Sequence, residues 1–341
     1  MLSCGINCLV CDYPIHFDTY SGCSHACKYC YVNHQHAITT IKPKNEAQAL
    51  RNFIDGKRGT DTAWCDWAIP VHWGAMSDPF QECEREHGRS LECLRIFAET
   101  HYPFIVSTKN PVILTEEPYL SVLRECDCVV QISMACSKYD KLETGAPTYK
   151  QRLEAAKVLS ANVQRVIARV QPYFVDAHSA IMQEIPNYAD AGIYGIIIEG
   201  FVSTKKQKGL IRDGTKYGFP LDILAAKYKQ MREQCHKCGI RFFSGEDQLR
   251  FLGDSLTCCG TENLDTFKPN KFNVEHLAHD DEDIQPTERM KQKGGVYGFK
   301  SRNQCVAWWN EIKDKTFEQL MHDIGNDYIY FYRQLRDKWG D

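Results

Sequence analysis

Short apolar runs alternate with longer segments of helical spacing between about residue 14 and residue 240. The short runs are rich in β-branched and aromatic residues and predict six strands, at 15–20, 67–75, 104–108, 128–135, 163–170 and 194–201. The longer segments repeat apolar residues every three or four positions and predict helices at 44–54, 88–100, 119–126, 148–161 and 180–192. Such alternation is typical of a parallel sheet, and six units are too few for a closed barrel of eight. The pattern therefore predicts an α/β fold with an open, partial barrel.

The alternation ends near residue 240. Segment 244–272 is rich in Gly, Asp, Asn and Thr, segment 279–299 is polar, and the remaining residues have helical spacing. We expect three parts: an N-terminal cysteine-rich segment at 1–14, the partial barrel at 15–240, and an irregular and helical C-terminal extension at 241–341. The extension is a candidate substrate platform.

Composition narrows the class of protein. A hydrophobic content of 43% and a charged content of 25% over 341 residues are typical of a soluble globular protein. No apolar run approaches the ~20 residues that cross a bilayer, and the first residues lack the pattern of a signal peptide. We expect a cytoplasmic protein with no membrane partner. The net charge of -3 gives no overall attraction to nucleic acid, and the basic stretches at 203–216 and 288–302 are expected to be solvated loops.

The 17 cysteines change this picture, because clustered thiols in a reducing compartment indicate metal or catalytic chemistry before disulfides. Cys23, Cys27 and Cys30 stand in C-x3-C-x2-C spacing just after the first predicted strand. The C-terminal ends of barrel strands are where active sites lie. Three thiolates on one loop suit three irons of a cube-shaped cluster, with the fourth iron open. Structural zinc is the alternative, but it favours two pairs of ligands.

With Tyr29 before its last cysteine, the loop TYSGCSHACKYCYVNH resembles that of the radical SAM superfamily, and within it the spore photoproduct lyase-like group. Further segments resemble motifs of that group in the same order along the chain, so that the resemblance covers roughly residues 17 to 200. They are GAMSDPFQ (74–81), IVSTKN (105–110), VQISMA (130–135), GAPTYKQRLEAAKVL (145–159) and ARVQPYF (168–174).

The resemblance implies a partial (β/α)6 TIM-like barrel of the radical SAM type, with a [4Fe-4S] cluster on Cys23, Cys27 and Cys30. S-adenosylmethionine would chelate the free iron, and its reductive cleavage would yield a 5′-deoxyadenosyl radical that abstracts a substrate hydrogen. An electron donor of the flavodoxin or ferredoxin type is implied as a partner. Within this pocket, further contacts to the cofactor are implied by position, at Tyr29, Tyr31, Ser77, Asp78, Lys109, Ser133 and Arg169.

The resemblance implies a role for each of these residues, and three of them also have an ordinary structural alternative. Tyr29 and Tyr31 are placed to pack beside adenine, and Ser77 and Asp78 to meet the methionyl group. Lys109 would meet a carboxylate or a substrate anion, or be a surface charge. Ser133 would reach the ribose or be a core hydroxyl. Arg169 would pair with the carboxylate of S-adenosylmethionine, since guanidinium suits that group, or form an internal ion pair.

A second triplet, Cys4, Cys8 and Cys11, repeats the spacing without a preceding strand or an aromatic residue before its last cysteine. It predicts three ligands of an auxiliary iron-sulfur or zinc site, provided that a fourth thiolate comes from elsewhere. The vicinal pair Cys258 and Cys259 is the first candidate, and CHKC at 235–238 is the second. The alternative is that these cysteines are small buried hydrophobic residues.

The substrate is open at this point. Repair enzymes of the resembling group carry a hydrogen-donating cysteine where this chain has Met76, and a thioether has no S-H to donate. We therefore favour modification of a macromolecule, either a peptide or a nucleic acid. A DNA photolesion lyase is the second hypothesis. A non-catalytic iron-sulfur or zinc binding protein is the third.

Overall fold

The computed structural model describes residues 2–4, 11–32, 40–59, 62, 65, 67–213, 216–255 and 257–270. The predicted C-terminal helices lie outside these residues. The strands of the described residues are β1 (Ser3–Cys4), β2 (Ile15–Phe17), β3 (Tyr20–Ser21), β4 (Lys42–Pro43), β5 (Val71–Trp73), β6 (Phe104–Thr108), β7 (Cys128–Ser133), β8 (Arg165–Tyr173), β9 (Gly195–Gly200), β10 (Val202–Ser203), β11 (Ile211–Asp213), β12 (Lys216–Gly218) and β13 (Arg241–Ser244).

The helices lie between these strands along the chain. The α-helices are α1 (Ala47–Ile54), α2 (Glu84–His87), α3 (Arg89–Thr100), α4 (Tyr119–Arg124), α5 (Tyr149–Ser160), α6 (His178–Asp190) and α7 (Leu221–Lys237). Short 3-10 helices lie at Ile113–Thr115, Ser137–Leu142, Val175–Ala177 and Asp247–Leu252. In the part of the chain that the structure describes, no helix has both the length and the apolar character needed to cross a membrane.

Seven strands of the main sheet run parallel in the order β2, β5, β6, β7, β8, β9 and β13. β1 joins beside β2 in the antiparallel direction, so that β1 and β13 form the two edges. Neighbours in this sheet are also neighbours along the chain, as short crossover connections require. The predicted α/β fold with an open, partial barrel is therefore confirmed, and each of the six predicted strands is present.

The structure differs from the sequence interpretation in three elements. A seventh parallel strand, β13, pairs with β9 beyond the expected boundary at residue 240; it has only four residues, too few for a periodic signal. Helix α7 was missed although its buried residues recur at helical spacing, at Leu224, Tyr228, Met231 and Cys235. The loop expected at 203–216 is instead part of a three-stranded antiparallel sheet of β10, β12 and β11, here called the rim sheet.

The outer face of the main sheet packs against the helices. The ring of Trp73 on β5 is fully buried and lies 5.4 Å from the rings of Phe17 and Phe80. Phe97 of α3 stacks on Phe104 of β6 at 4.2 Å. Burying one such phenylalanine stabilises the fold by about 1.5–3 kcal/mol. These contacts fix the strands, so the loops at their C-terminal ends start from rigid positions.

The inner face of the sheet holds a second apolar cluster, to which residues 257–270 contribute; we call this segment the plug. The buried members of the cluster are Tyr13, Ile105, Val129, Ile167, Ile197, Phe243, Cys259 and Phe267. Gly260 allows the plug to approach β8, because its φ is +69° and an added Cβ would lie 2.6 Å from Cδ1 of Ile167. The hydroxyls of Tyr13 and Thr261 are hydrogen-bonded at 2.6 Å. The plug therefore fills the lower part of the barrel interior.

Candidate functional site

The first cysteine triplet lies on one loop at the C-terminal end of the parallel strands; we call residues 22–30 the cysteine loop. The thiols of Cys23, Cys27 and Cys30 are free and partly buried. Within the loop, the amide of Cys30 donates to the carbonyl of Cys27 at 3.1 Å. From outside it, the carbonyl of Leu142 accepts from the amide of Lys28 at 2.8 Å. The loop is thus anchored to the segment that follows β7.

His25 clamps the cysteine loop to two other parts of the barrel mouth. Its Nδ1 lies 3.0 Å from the carbonyl oxygen of Gly145, and its Nε2 lies 2.9 Å from Oδ2 of Asp78. A carbonyl and a carboxylate are both acceptors, so the ring of His25 links the loop to Gly145 on one side and to Asp78 on the other. At Gly145 an added Cβ would lie 2.3 Å from the carbonyl oxygen of Ser24, so only glycine permits this approach.

Asp78, in the loop that follows β5, is the centre of this clamp. Besides His25 it accepts hydrogen bonds from the amides of Phe80 (2.9 Å) and Lys109 (2.6 Å) and from the hydroxyl of Thr108 (2.8 Å). Burial raises the pKa of this carboxyl, but the charge and hydrogen bond of His25 and the two amides hold the pKa below its usual value. In the structure Asp78 therefore positions the loop, and its predicted contact with S-adenosylmethionine stays a prediction.

Ser77 is held in a similar way. Its Oγ donates to the carbonyl of Tyr20 at 2.7 Å, and its amide donates to Oδ1 of Asp18 at 3.0 Å. Burial raises the pKa of Asp18 to about 6. A cavity of ≈ 220 Å³ beside these residues is also lined by Lys44 and Met76.

A buried ion pair supports the cysteine loop from the side of β7. Nη2 of Arg152 lies 2.5 Å from Oε2 of Glu143, and both side chains are almost fully buried. The hydroxyl of Tyr29 donates to the same carboxylate. Nη1 of Arg152 donates to the carbonyl of Ser133 at 2.7 Å, and Nε donates to the carbonyl of Pro147 at 2.7 Å. The predicted site residue Ser133 is buried, and its carbonyl has a structural role because it accepts from Arg152.

Two further predicted residues reach the mouth beside the cysteine loop. Nζ of Lys109 lies 5.7 Å from the ring centroid of Tyr29. The hydroxyl of Tyr31 donates to the carbonyl of Ala75 at 2.9 Å and lies 3.6 Å from Sδ of Met76. The side chain of Met76 is 41% exposed. The structure therefore gathers Tyr29, Tyr31 and Lys109 around the three thiols.

Arg169 on β8 lies deeper, on the inner face of the sheet. Its guanidinium donates to Oε1 of Gln131 at 2.7 Å and to Oε1 of Gln171 at 2.5 Å, and Nη1 lies 3.5 Å from Oγ of Ser107. These partners are neutral. The contacts therefore differ from the internal ion pair that was the alternative prediction for Arg169. A cation held by neutral groups inside a barrel can accept an anionic group of a ligand.

The sequence interpretation missed a histidine pair in this interior. His16 and His72 lie opposite each other on β2 and β5, with ring centroids 5.8 Å apart. Burial and the charge of Arg169 lower the pKa of His16 to about 4, and burial lowers the pKa of His72 well below its usual value. Nε2 of His72 is hydrogen-bonded to Oγ of Ser107 at 2.9 Å. The available signal was that each histidine stands between two apolar residues of a short strand.

Burial and neighbouring charges raise the pKa values of two of the three thiols. Burial, the charge of Asp78 and the neighbouring Cys27 raise the pKa of Cys23 to about 12. Burial raises the pKa of Cys27 to about 11, Lys109 lowers it, and Cys30 raises it further. Thiolates this close repel one another unless bound iron supplies positive charge. No three His, Cys, Asp or Glu side chains among the described residues meet at a single-ion position; a cube-shaped cluster instead spreads its thiolates over several irons.

The structure also brings together part of the predicted auxiliary site. The Sγ atoms of Cys258 and Cys259 in the plug are 3.8 Å apart, and each thiol is close enough to Cys11 for their charges to interact. Hydrogen bonding from Cys259 and the charge of Arg250 lower the pKa of Cys258 to about 6. Nδ2 of Asn270 donates to the carbonyl of Cys11 at 3.2 Å. The thiols of Cys4 and Cys8 lie outside the described residues.

The second candidate pair for that site lies elsewhere. Cys235 is fully buried on the inner side of helix α7, and Cys238 packs against the same large core. Both belong to the outer apolar cluster, whereas Cys259 belongs to the inner one. The pair therefore has the environment of buried hydrophobic residues.

Comparisons with known proteins give limited similarities. No family model matches the chain. Uncharacterised proteins of Mycobacterium tuberculosis and Mycobacterium bovis are 23% identical over 199 residues, covering 53% of this chain. The match spans 56% of their length, which is little more than half.

Two solved structures resemble the fold weakly. Native anSMEcpe with bound AdoMet and the Cp18Cys peptide has a TM-score of 0.45 and 11% identity, with 95% of each chain covered. Methylornithine synthase (PylB) has a TM-score of 0.47 and 12% identity, with 91% of this chain and 84% of that chain covered. At these scores the likeness carries no argument about the site.

Proposed function

We propose that this chain is a radical SAM enzyme whose catalytic [4Fe-4S] cluster is held by Cys23, Cys27 and Cys30. The observation that carries the proposal is the placement of three free thiols on one clamped loop at the C-terminal mouth of a parallel partial barrel. When bound, a cluster with S-adenosylmethionine supplies one-electron cleavage of a sulfonium and a carbon radical for hydrogen abstraction. The protein supplies position, charge and exclusion of water.

The residues around the loop have distinct proposed roles. The clamp of His25 and Asp78 fixes one part of the loop, and the pair of Glu143 and Arg152 fixes Tyr29 within it. Because the hydrogen-bond partners of Arg169 among the described residues are neutral, its guanidinium is suited to bind the carboxylate of S-adenosylmethionine or an anionic group of the substrate. Lys109 contributes a second positive charge near the thiols.

For the substrate, we propose a peptide or a nucleic acid. The exposure of Met76 at the mouth supports this choice over a photolesion lyase, because the side chain exposed there is a thioether with no S–H hydrogen to donate. A non-catalytic iron-sulfur or zinc protein is the remaining alternative. Such a protein would require the three thiols but would have no anionic cofactor for Arg169 to bind.

The proposal is tested by anaerobic reconstitution with iron and sulfide, followed by reduction and electron paramagnetic resonance with and without S-adenosylmethionine. We expect four irons at this site and a spectrum that changes when S-adenosylmethionine is added, because the open iron gains ligands. Cys27→Ala should lose the component of the signal that responds to S-adenosylmethionine, whereas Cys93→Ala, which removes a buried thiol of α3, should keep it. A signal that S-adenosylmethionine leaves unchanged would favour the non-catalytic alternative.

We also propose that Cys11, Cys258 and Cys259 belong to a second metal site that Cys4 or Cys8 completes; because no three described side chains meet at a single-ion position, an iron-sulfur cluster is favoured over zinc. The support is the proximity of one N-terminal thiol to the vicinal pair in the plug. The double variant Cys258→Ala, Cys259→Ala should lose metal in elemental analysis while the spectrum of the first cluster persists. The matched control is Cys235→Ala, Cys238→Ala. Equal metal content in the two double variants and the wild type would contradict a second site.

A further inference from the structure

The rim sheet lies at the barrel mouth, on the same end of the molecule as the cysteine loop. It begins directly after β9, at Val202, and the C-terminal ends of all parallel strands share one end of the sheet. Phe201 precedes it, and the ring of Phe201 lies 4.8 Å from that of Phe174. Phe174 in turn lies 6.1 Å from the ring of Tyr29 in the cysteine loop. Two ring contacts therefore join the rim sheet to the proposed cluster site.

The rim sheet concentrates positive charge in a chain whose net charge is -3. Between residues 202 and 218 the chain has one acidic residue, Asp213, and five cationic residues. The side chains of four of these cations are exposed lysines, at Lys205, Lys206, Lys208 and Lys216. A local patch of one sign attracts a partner of the opposite sign and speeds their encounter.

One face of the rim sheet is also apolar. Val202 and Ile211 both lie opposite Gly218 in the register, so their side chains flank it on the same face. These side chains are 45% and 54% exposed. A Cβ added at Gly218 would meet nothing within 4 Å, so the centre of the face is open. Phosphate groups gain little from branched apolar side chains, whereas an apolar centre with a charged rim is typical of a protein interface.

We propose that this face of the rim sheet is the docking surface for an acidic electron-carrier protein that reduces the cluster. The inference rests on the proposed function, because the chemistry consumes one electron that this chain cannot generate. The charge, the apolar centre and the ring contacts toward Tyr29 together favour a protein donor that delivers its electron at this position. The carrier loses one electron and the cluster gains it, and no bond is made or broken at the interface.

The test compares two reductants on the reconstituted holoenzyme. Reduced flavodoxin is the acidic protein probe, dithionite is the small-molecule control, and cluster reduction is followed by stopped-flow absorbance. The triple variant Lys205→Glu, Lys206→Glu, Lys208→Glu should slow reduction by flavodoxin about tenfold or more and leave reduction by dithionite unchanged. Added salt should slow the wild type toward the variant. Val202→Ser with Ile211→Ser should also slow only the flavodoxin reaction.

A matched triple variant makes the same change in net charge elsewhere. Lys157, Lys229 and Lys237 are exposed on α5 and α7, and their replacement by Glu should leave the flavodoxin rate within about twofold of the wild type. Equal rates for the two triple variants would overturn the proposal. A nucleic-acid partner would also overturn it. In that case a labelled single-stranded oligonucleotide would bind the wild type but not the rim variant, while flavodoxin would reduce the two proteins at equal rates.

Two other outcomes distinguish a failure of the docking proposal from a failure of the proposed function. If neutralising the acidic run at Asp280, Asp281, Glu282 and Asp283 sped flavodoxin reduction in the wild type but not in the rim variant, the chain's own segment would compete with flavodoxin for this face, which supports the docking surface; equal flavodoxin rates in the wild type and the rim variant after this neutralisation would overturn it. If dithionite-reduced wild type failed to cleave S-adenosylmethionine, the proposed function itself would fall. Loss of flavodoxin-driven reduction alone, with dithionite-driven cleavage intact, supports both.

Discussion

At the scale of single residues, the site depends on buried charges that hold the cysteine loop. Asp78 receives hydrogen bonds from the loop, from the turn after β5 and from the end of β6. Removing one partner of a buried charge pair leaves the other charge uncompensated and costs far more than breaking an exposed pair. His25 and Asp78 are therefore expected to determine the geometry of the thiols, although neither residue is itself one of the three cysteines.

Replacement of Asp78 by Asn should lower the free energy of unfolding by about 3 kcal/mol, because the amide presents donors to His25 and to backbone N–H groups. Urea unfolding monitored by circular dichroism measures this change. Glu82→Gln is the control, since Glu82 forms an exposed pair with Arg85 and should change stability by less than about 0.5 kcal/mol. A loss in Asp78→Asn no larger than in the control would contradict the clamp.

The histidine pair predicts a dependence of stability on pH. His16 and His72 have lowered pKa values when folded, so the unfolded chain binds more protons than the folded chain below about pH 6.5. Stability therefore falls as the pH drops from 6.5 toward 4. Between pH 7 and pH 5, His72→Gln should lose about 1–2 kcal/mol less stability than the wild type in urea titrations. Identical pH dependence in the two proteins would show that His72 is not buried in its neutral form.

The first triplet and its loop could be predicted from sequence, because ligand spacing is a local property. Its supports could not, since Asp78, Gly145 and Arg152 are far from the thiols in sequence and meet them only through folding. His72 shows the same limit. Its partner is set by the register of two strands that are more than fifty residues apart, and register is a tertiary property.

At the scale of elements, the strands and helices between residues 104 and 200 were predicted well, whereas helix α7 and the short strands of the rim sheet were not. Strands β6 to β9 alternate with helices whose apolar spacing is clear, and the prediction located all of them. The rim sheet consists of strands of two or three residues, which are shorter than any periodic pattern. The plug has no regular structure to predict, and its place inside the barrel follows from packing against Ile167 and Phe243.

Gly260→Ala tests the position of the plug. The positive φ and the 2.6 Å approach to Ile167 mean that a methyl group forces the plug away from β8, at a cost of about 2–4 kcal/mol. Limited proteolysis should then cleave within residues 257–270 faster than in the wild type. Gly59→Ala is the control, because nothing lies within 4 Å of its added Cβ. Equal cleavage rates in both variants would mean that the plug does not occupy the barrel interior.

At the scale of the whole molecule, the partial barrel arranges its chemistry along one axis. The cysteine loop and the rim sheet lie at the mouth, the polar groups around Arg169 lie in the middle, and the plug with Cys258 and Cys259 lies below. A parallel sheet produces this order because its strands all present their C-terminal ends on one side. On the proposed function, the rim sheet receives the electron carrier, the cysteine loop holds the cluster, and the interior around Arg169 binds an anionic group.

The most direct test of the central claim is the reductive cleavage of S-adenosylmethionine by the reconstituted protein, measured as 5′-deoxyadenosine formed under anaerobic conditions. We predict that the wild type and Cys93→Ala form 5′-deoxyadenosine with dithionite, and that Cys23→Ala, Cys27→Ala and Cys30→Ala form none above the background without enzyme. Full cleavage by Cys27→Ala would contradict the assignment of the cluster to this loop.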